Sequence, residues 1–177
     1  MRRVHRLYMT LTGTALLGAC AASQPEMPVV DNVDIERFMG DWYVIANIPT
    51  FLEKGAHNAV ETYKQNADGT IATRFAYRKD SFDGKLKEYH PKGFIVDKES
   101  NAVWGMRFIW PIKADYRIVY LEDDYSITII GRQKRDFVWI MARQPQISEA
   151  EYARLIEFVA SLGYPAAAIE RVPQRWQ

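Results

Sequence analysis

Between Gly40 and Arg143 the chain is cut into short stretches rich in strand-forming residues, separated at regular intervals by turn formers. The stretches cover 40–48, 57–66, 70–79, 86–96, 102–110, 115–122, 125–133 and 136–143. The breaks are legible as turns: Asp68-Gly69, Asp83-Gly84, Lys98-Glu99-Ser100-Asn101, Pro111 to Ala114, Asp123-Asp124 and Lys134-Arg135-Asp136. Eight strands at this spacing predict an all-β fold, an antiparallel up-and-down barrel. The connection from Pro49 to Ala56 is the long one, and it carries apolar Phe51 and Leu52.

The pattern changes after Arg143. Ser148 with Glu151 three residues on is a capping box, and Ile147 is placed to staple onto Tyr152. Tyr152, Leu155, Ile156, Val159 and Leu162 then share one face and Gly163 stops the run. A helix over 148–162 is therefore expected to lie against the outside of the barrel.

Three blocks give the strands an identity. Gly40-Asp41-Trp42 opens the first strand, where glycine permits a sharp bend and the indole can plug one end of a sheet. Tyr116-Arg117-Ile118-Val119-Tyr120-Leu121-Glu122-Asp123-Asp124-Tyr125 lies midway. Phe137-Val138-Trp139-Ile140-Met141-Ala142-Arg143 ends on an arginine. In this order and spacing the blocks resemble the three signature regions of the lipocalins, and most closely the bacterial lipocalins that are outer-membrane lipoproteins. The resemblance spans about Val33 to Gly163. It implies that Gly40 and Trp42 close the barrel floor, that Arg143 packs across the indole, and that the loop from Pro49 to Ala56 folds over the open mouth.

The first nineteen residues have the three-part shape of a secretory signal. Arg2, Arg3 and Arg6 precede an apolar stretch that is too short and too interrupted to span a membrane. Leu17-Gly18-Ala19-Cys20 resembles the bacterial lipobox, which implies cleavage before Cys20 and acylation of that residue. Cys20 is the chain's single cysteine, so no intrachain disulfide can form. Ala21, rather than an aspartate resembling the inner-membrane retention signal, directs the expectation to the outer membrane, facing the periplasm. The chain then divides into a leader (1–19), a lipidated tether (20–32) and a single domain (33–177).

Catalytic signatures are missing. No H-E-x-x-H, C-x-x-C, G-x-S-x-G or phosphate-cradling glycine loop occurs, and His5, His57 and His90 are the only histidines. The expectation is a binding protein rather than an enzyme, with no metal and no cofactor. Removing the leader's three arginines leaves a chain of formal charge −2, which gives no reason to expect a nucleic-acid partner. The sequence leaves the oligomeric state open.

Strand alternation, propagated from Trp42 and Trp139, gives a set of inward positions. They are Val44, Ala46, Ile48, Glu61, Tyr63, Phe75, Tyr77, Trp104, Met106, Phe108, Tyr116, Ile118, Ile127, Ile129, Trp139 and Met141. Arg74, Arg78 and Arg107 then face water. Small residues near the inward positions (Ala46, Thr73, Gly131) favour open space over a solid interior, and the resemblance favours a ligand cavity. The ligand it implies is a fatty acid or lysophospholipid, handled for transport, storage or envelope maintenance, with Lys54 and His57 beside the long loop as head-group partners. A lipid-modifying enzyme on the same barrel and an envelope scaffold are the competing readings. Glu61 is the awkward residue in this register. It is a polar anchor for the ligand, a mouth residue in water, or the sign of a slipped second strand.

Overall fold

The computed structural model describes residues 24–176; the leader, Cys20 and the start of the tether lie outside them. Helix α1 (Ile35–Phe38) leads into β1 (Gly40–Asn47), β2 (Ala56–Gln65), β3 (Ile71–Lys79), β4 (Leu86–Tyr89) and β5 (Lys92–Ile95). Then come β6 (Val103–Ile109), β7 (Ile112–Leu121), β8 (Ile127–Gly131) and β9 (Trp139–Ala142). Helix α2 (Glu149–Ser161), a 3-10 turn (Ala166–Ala168) and the short β10 (Glu170–Arg171) follow. All pairings are antiparallel, and β9 returns to β1 through Tyr43↔Ala142 and Asn47↔Trp139, closing the sheet into a barrel.

The barrel has eight strands, but its fourth, expected as one piece over 86–96, is two. β4 pairs with β3, and β5 pairs with both β3 and β6. The break falls at His90-Pro91, where proline has no N–H to give to the ladder. The Pro91 carbonyl still accepts from Thr73 N at 3.1 Å, which keeps the two pieces on one line.

Apolar side chains collect in two layers. The inner cluster, with Phe38, Trp42, Tyr63, Phe75, Trp104, Ile118 and Met141, fills the barrel. The outer cluster, with Ile45, Ala46, Ile127, Ile129, Ile140, Leu155 and Val159, lies between the wall and α2. Ser148 Oγ accepts from Glu151 N at 3.1 Å at the start of α2. Leu155 and Val159 are fully buried, and Gly163 takes φ +92° beyond the helix end, a conformation that suits glycine.

Two β-bulges reset the inward register. One, between Val44 and Ala46, leaves Trp42 and Val44 inside and turns Ala46 toward α2. The other, between Ile118 and Tyr120, leaves Ile118 inside and sets β8 so that Ile130, not Ile129, faces the interior. β1 and β2 part beyond the pair Tyr43↔Val60, and the chain's end fills the gap. β10 pairs with Ala46 and Asn47, while Gln174 Nε2 donates to Val44 O at 2.8 Å and Ala59 O at 3.0 Å.

Candidate functional site

The closed end is built around Trp42. Its indole N–H donates to Phe38 O at 2.9 Å, so α1 is tied across the bottom of the barrel. Arg143, at the end of β9, lays its guanidinium 3.8 Å above the centre of the indole. It also donates to Arg37 O, Met39 O and Asp41 O at 2.8–2.9 Å and to Phe38 O at 3.1 Å. The carbonyls of Arg37, Phe38 and Met39 belong to the end of α1 and the residue after it, which a helix of one turn leaves without partners, and Asp41 O belongs to the start of β1. Gly40 has φ +96°, and a Cβ there would stand 3.4 Å from Arg143 Nη1. Above the indole, Phe38 contacts Trp42, Tyr63 and Trp104 with ring centroids 5.1–5.6 Å apart, and Trp104 stacks on Tyr116 at 5.1 Å. The lower half of the barrel is therefore solid.

The upper half holds a cavity of about 320 Å³. Phe75, Tyr89, Met106, Phe108, Tyr116, Phe137 and Trp139 form most of its apolar wall. The loop after β1 covers part of the mouth and is tied down at several points. Glu53, itself buried, accepts from the Trp139 indole at 2.6 Å and from Thr50 N at 2.9 Å, and Tyr77 OH donates to Leu52 O.

Glu61 marks the boundary between the halves. Its carboxyl faces the cavity and accepts from Tyr63 OH, which lies 2.8 Å from Tyr116 OH. Burial, aided by the negative charge of Glu53, raises its pKa to about 8, so the carboxyl is largely neutral at pH 7. Burial likewise lifts Tyr116 well above the ordinary phenol value, with Glu61 adding to the effect.

Two polar atoms in the cavity wall have no partner among the described residues: Thr73 Oγ1 and Arg132 Nε. The cavity's acids are better satisfied. Asp115 accepts from Arg117 Nε at 3.1 Å and from Gln133 N at 2.6 Å, and Glu53 is bonded as above. The unspent capacity is thus chiefly for donation, which suits an acceptor on a bound molecule.

Of the positions assigned inward from the sequence, Glu61, Phe75, Met106, Phe108, Tyr116 and Trp139 line the cavity. Tyr63, Tyr77, Trp104, Ile118 and Met141 belong to the inner cluster without bordering it. Ala46, Ile48, Ile127 and Ile129 are corrected to the outer layer: the bulge past Val44 reverses the parity of β1, and on β8 it is Ile130, not Ile129, that stands opposite the inward Trp139. Of the three small residues, only Thr73 borders open space; a Cβ on Gly131 would meet Tyr164 OH at 2.8 Å.

Lys54 and His57 are also corrected, since neither lines the cavity. Lys54 is exposed, and His57 turns outward to meet Phe82 edge-on at 5.0 Å. Arg132, Glu53 and Phe137 were missed. The first stood at the end of an expected strand and the second in a loop, where no spacing rule applies. Among the described residues, no three His, Cys, Asp or Glu side chains are placed to hold a metal ion.

A closed antiparallel barrel, sealed below and open above over an apolar cavity, defines a binding protein for a small hydrophobic molecule. Residues 33–174 match the family described as Lipocalin-like domain. The chain belongs to the lipocalin family and is a binding protein rather than an enzyme. It is 32% identical over 158 residues to temperature-induced lipocalin-1 of Arabidopsis thaliana, covering 84% of this chain and 83% of that one. It is 25% identical over 175 residues to the outer membrane lipoprotein Blc of Escherichia coli K12, covering 97% and 98%. Among solved structures, insecticyanin from the tobacco hornworm Manduca sexta superposes with a TM-score of 0.65 at 13% identity, covering 86% of each chain.

Proposed function

We propose that this lipocalin carries a single-chain anionic amphiphile, a fatty acid or a lysophospholipid, and works in the cell envelope anchored through an acylated Cys20. The observation that carries the ligand reading is the apolar upper cavity with Arg132 and its unpartnered Nε in the wall. At about 320 Å³ the cavity is near the lower limit for small-molecule sites, which favours one acyl chain over two. Burying about ten methylenes at ~0.8 kcal/mol each gives ~8 kcal/mol, an affinity of order micromolar before the costs of association. The head group stays near Arg132, because a charge buried without a partner would cancel that gain. The envelope role is supported by the near full-length similarity to outer membrane lipoproteins and by the lipobox-like Leu17-Gly18-Ala19-Cys20.

Displacement of a fluorescent fatty acid from delipidated protein tests the ligand reading. Competition by fatty acids and lysophospholipids, weakened about tenfold in Arg132→Gln but less in Arg132→Lys, is the expected result. Equal displacement by uncharged long-chain alcohols in all three proteins would remove the head-group assignment.

A further inference from the structure

The open end carries an apolar tip that folding does not use. Phe108, Ile109, Trp110 and Ile112 are 53%, 73%, 78% and 70% exposed, and all belong to the hairpin between β6 and β7. Phe51, on the loop covering the mouth, is 83% exposed. Single exposed apolar residues are ordinary on a protein surface, but a run of Phe-Ile-Trp-Pro-Ile at one hairpin tip is a continuous patch.

The run is bracketed by Arg107 and Lys113, with no acid between them. Both cations lie over the Phe94 ring on the outer wall, at 4.8 and 4.2 Å, and Lys92 approaches the same ring at 5.9 Å. An apolar wedge with a tryptophan, standing above a collar of cations, matches the layers of a bilayer surface. The wedge reaches the acyl boundary, the indole sits among the headgroups, and the cations meet anionic lipid phosphates.

The course of the leading segment gives an independent reason for the same orientation. It rises along the barrel from floor to mouth. Val33 N donates to Ser100 O at 2.8 Å near the closed end, and Val30 N donates to Ile118 O at 3.1 Å. Met27 N reaches Gln133 Oε1 at 2.8 Å, and Gln133 Nε2 returns a bond to Pro25 O at 3.1 Å. Gln133 is in the turn before β9, beside the cavity residues Asp115 and Arg132. Cys20 is four residues before Gln24, the first described residue. Covalent geometry therefore keeps an acyl anchor there within roughly 14 Å of Gln24.

We propose that the tip at 108–112, with Phe51, docks the open end of the barrel on a lipid bilayer, so that the mouth faces the membrane. This deepens the lipid-carrier reading and takes its anchor geometry from acylation at Cys20. Ligand then enters and leaves at the lipid surface, without crossing water.

The test uses the chain from residue 20 onward carrying Cys20→Ser, which removes the anchor and leaves the described fold untouched. It is floated with vesicles of phosphatidylethanolamine and phosphatidylglycerol, and its tryptophan emission is read against brominated lipid. Cosedimentation with the floating vesicles and quenching are expected. Flotation should fall about tenfold or more in Trp110→Ser/Ile112→Ser, neither of which lines the cavity, and quenching should fall in Ile112→Ser alone, which keeps the Trp110 indole as reporter. Arg107→Gln/Lys113→Gln should lose the preference for anionic vesicles.

A parent chain that stays off the vesicles, or a tip variant that floats like the parent, overturns the proposal. So does a tip variant whose only change is loss of a concentration-dependent dimer, which would assign the patch to a second copy. Fatty-acid displacement in solution separates this from the ligand reading. Displacement without vesicle binding defeats the docking alone, and vesicle binding without displacement defeats the ligand reading alone.

Discussion

The two halves of the barrel are built from the same strands and the same kinds of side chain, yet one is solid and the other open. Both receive inward aromatics by alternation, so aromatic content does not separate them. The difference is α1. It lies across the bottom and pushes Phe38 into the interior, where that ring contacts Trp42, Tyr63 and Trp104 at 5.1–5.6 Å. Among the described residues no segment enters from above; the loop after β1 covers part of the mouth and is fastened at its rim by Glu53 and Leu52. Polar groups follow the same division. Below, the indoles and the carbonyls near the end of α1 are bonded, whereas the cavity wall leaves Thr73 Oγ1 and Arg132 Nε unpartnered.

If the lower half is the structural one, removing its central ring should be the most damaging change. Trp42→Ala is expected to cost ~3–5 kcal/mol in urea unfolding, the range for deleting a large buried aromatic. Phe75→Ala, on the cavity wall, should cost distinctly less, because its ring already borders empty space. Equal losses at the two sites would break the division.

Glu61 sits on the seam and gives the next largest effect. Its native pKa is about 8 against an ordinary 4.5, so the folded chain holds a proton that the unfolded chain releases between those values. Its contribution to stability is therefore greatest below pH 4.5 and falls as pH rises through the window. From pH 5 to pH 7 the loss is about 1.4 kcal/mol per pH decade, or roughly 3 kcal/mol. Glu61→Gln mimics the neutral acid and lacks this slope. Delipidated wild type and variant should match near pH 5 and separate by pH 7, with the variant more stable. Parallel pH profiles would mean that the carboxyl is solvated.

Arg143→Ala should cost ~2 kcal/mol, less than Trp42→Ala because the cavity it leaves is open to water. The two substitutions share α1's carbonyls and the 3.8 Å stacking contact, so the double variant should lose less than the added single losses. Strict additivity would separate the guanidinium from the indole.

Most of the frame is readable in the residues. The turn dipeptides, the spacing from Trp42 to Arg143 and the capping box at Ser148 are local signals that belong to local structure. The faults in the register come from features with no local signature. The bulge past Val44 accompanies the tail that enters between β1 and β2, and Gln174 lies 130 residues from the carbonyl it bonds. Along β8 every position is buried, because α2 covers the outer face while the barrel covers the inner one. Alternation therefore vanishes where the register most needs it. The split of the fourth strand was legible, since Pro91 stands in the middle of it and proline interrupts a ladder. Of the cavity, the aromatic wall could be read by parity. Arg132 could not, because it lies just past β8 in the turn before β9, where strand alternation gives no direction.

The smallest effect bears most directly on what the open half is for. Thr73 is buried at 4% exposure in the cavity wall, and its hydroxyl has no partner among the described residues. An unpaired buried hydroxyl lowers stability, so Thr73→Val, nearly equal in shape, should raise the stability of the empty protein by ~1 kcal/mol. If the hydroxyl is kept for a ligand's polar atom, the same change should weaken lysophospholipid or fatty-acid binding by ~1 kcal/mol, a few-fold in affinity. The two effects have opposite signs, and thermal unfolding and fluorescent displacement read them separately. A gain in stability with unchanged affinity would leave Thr73 as a cost without a use and place the ligand's polar contacts at Arg132 alone. A loss of stability would mean that the hydroxyl is satisfied, and the contrast between a bonded floor and an unspent cavity wall would rest on one atom instead of two.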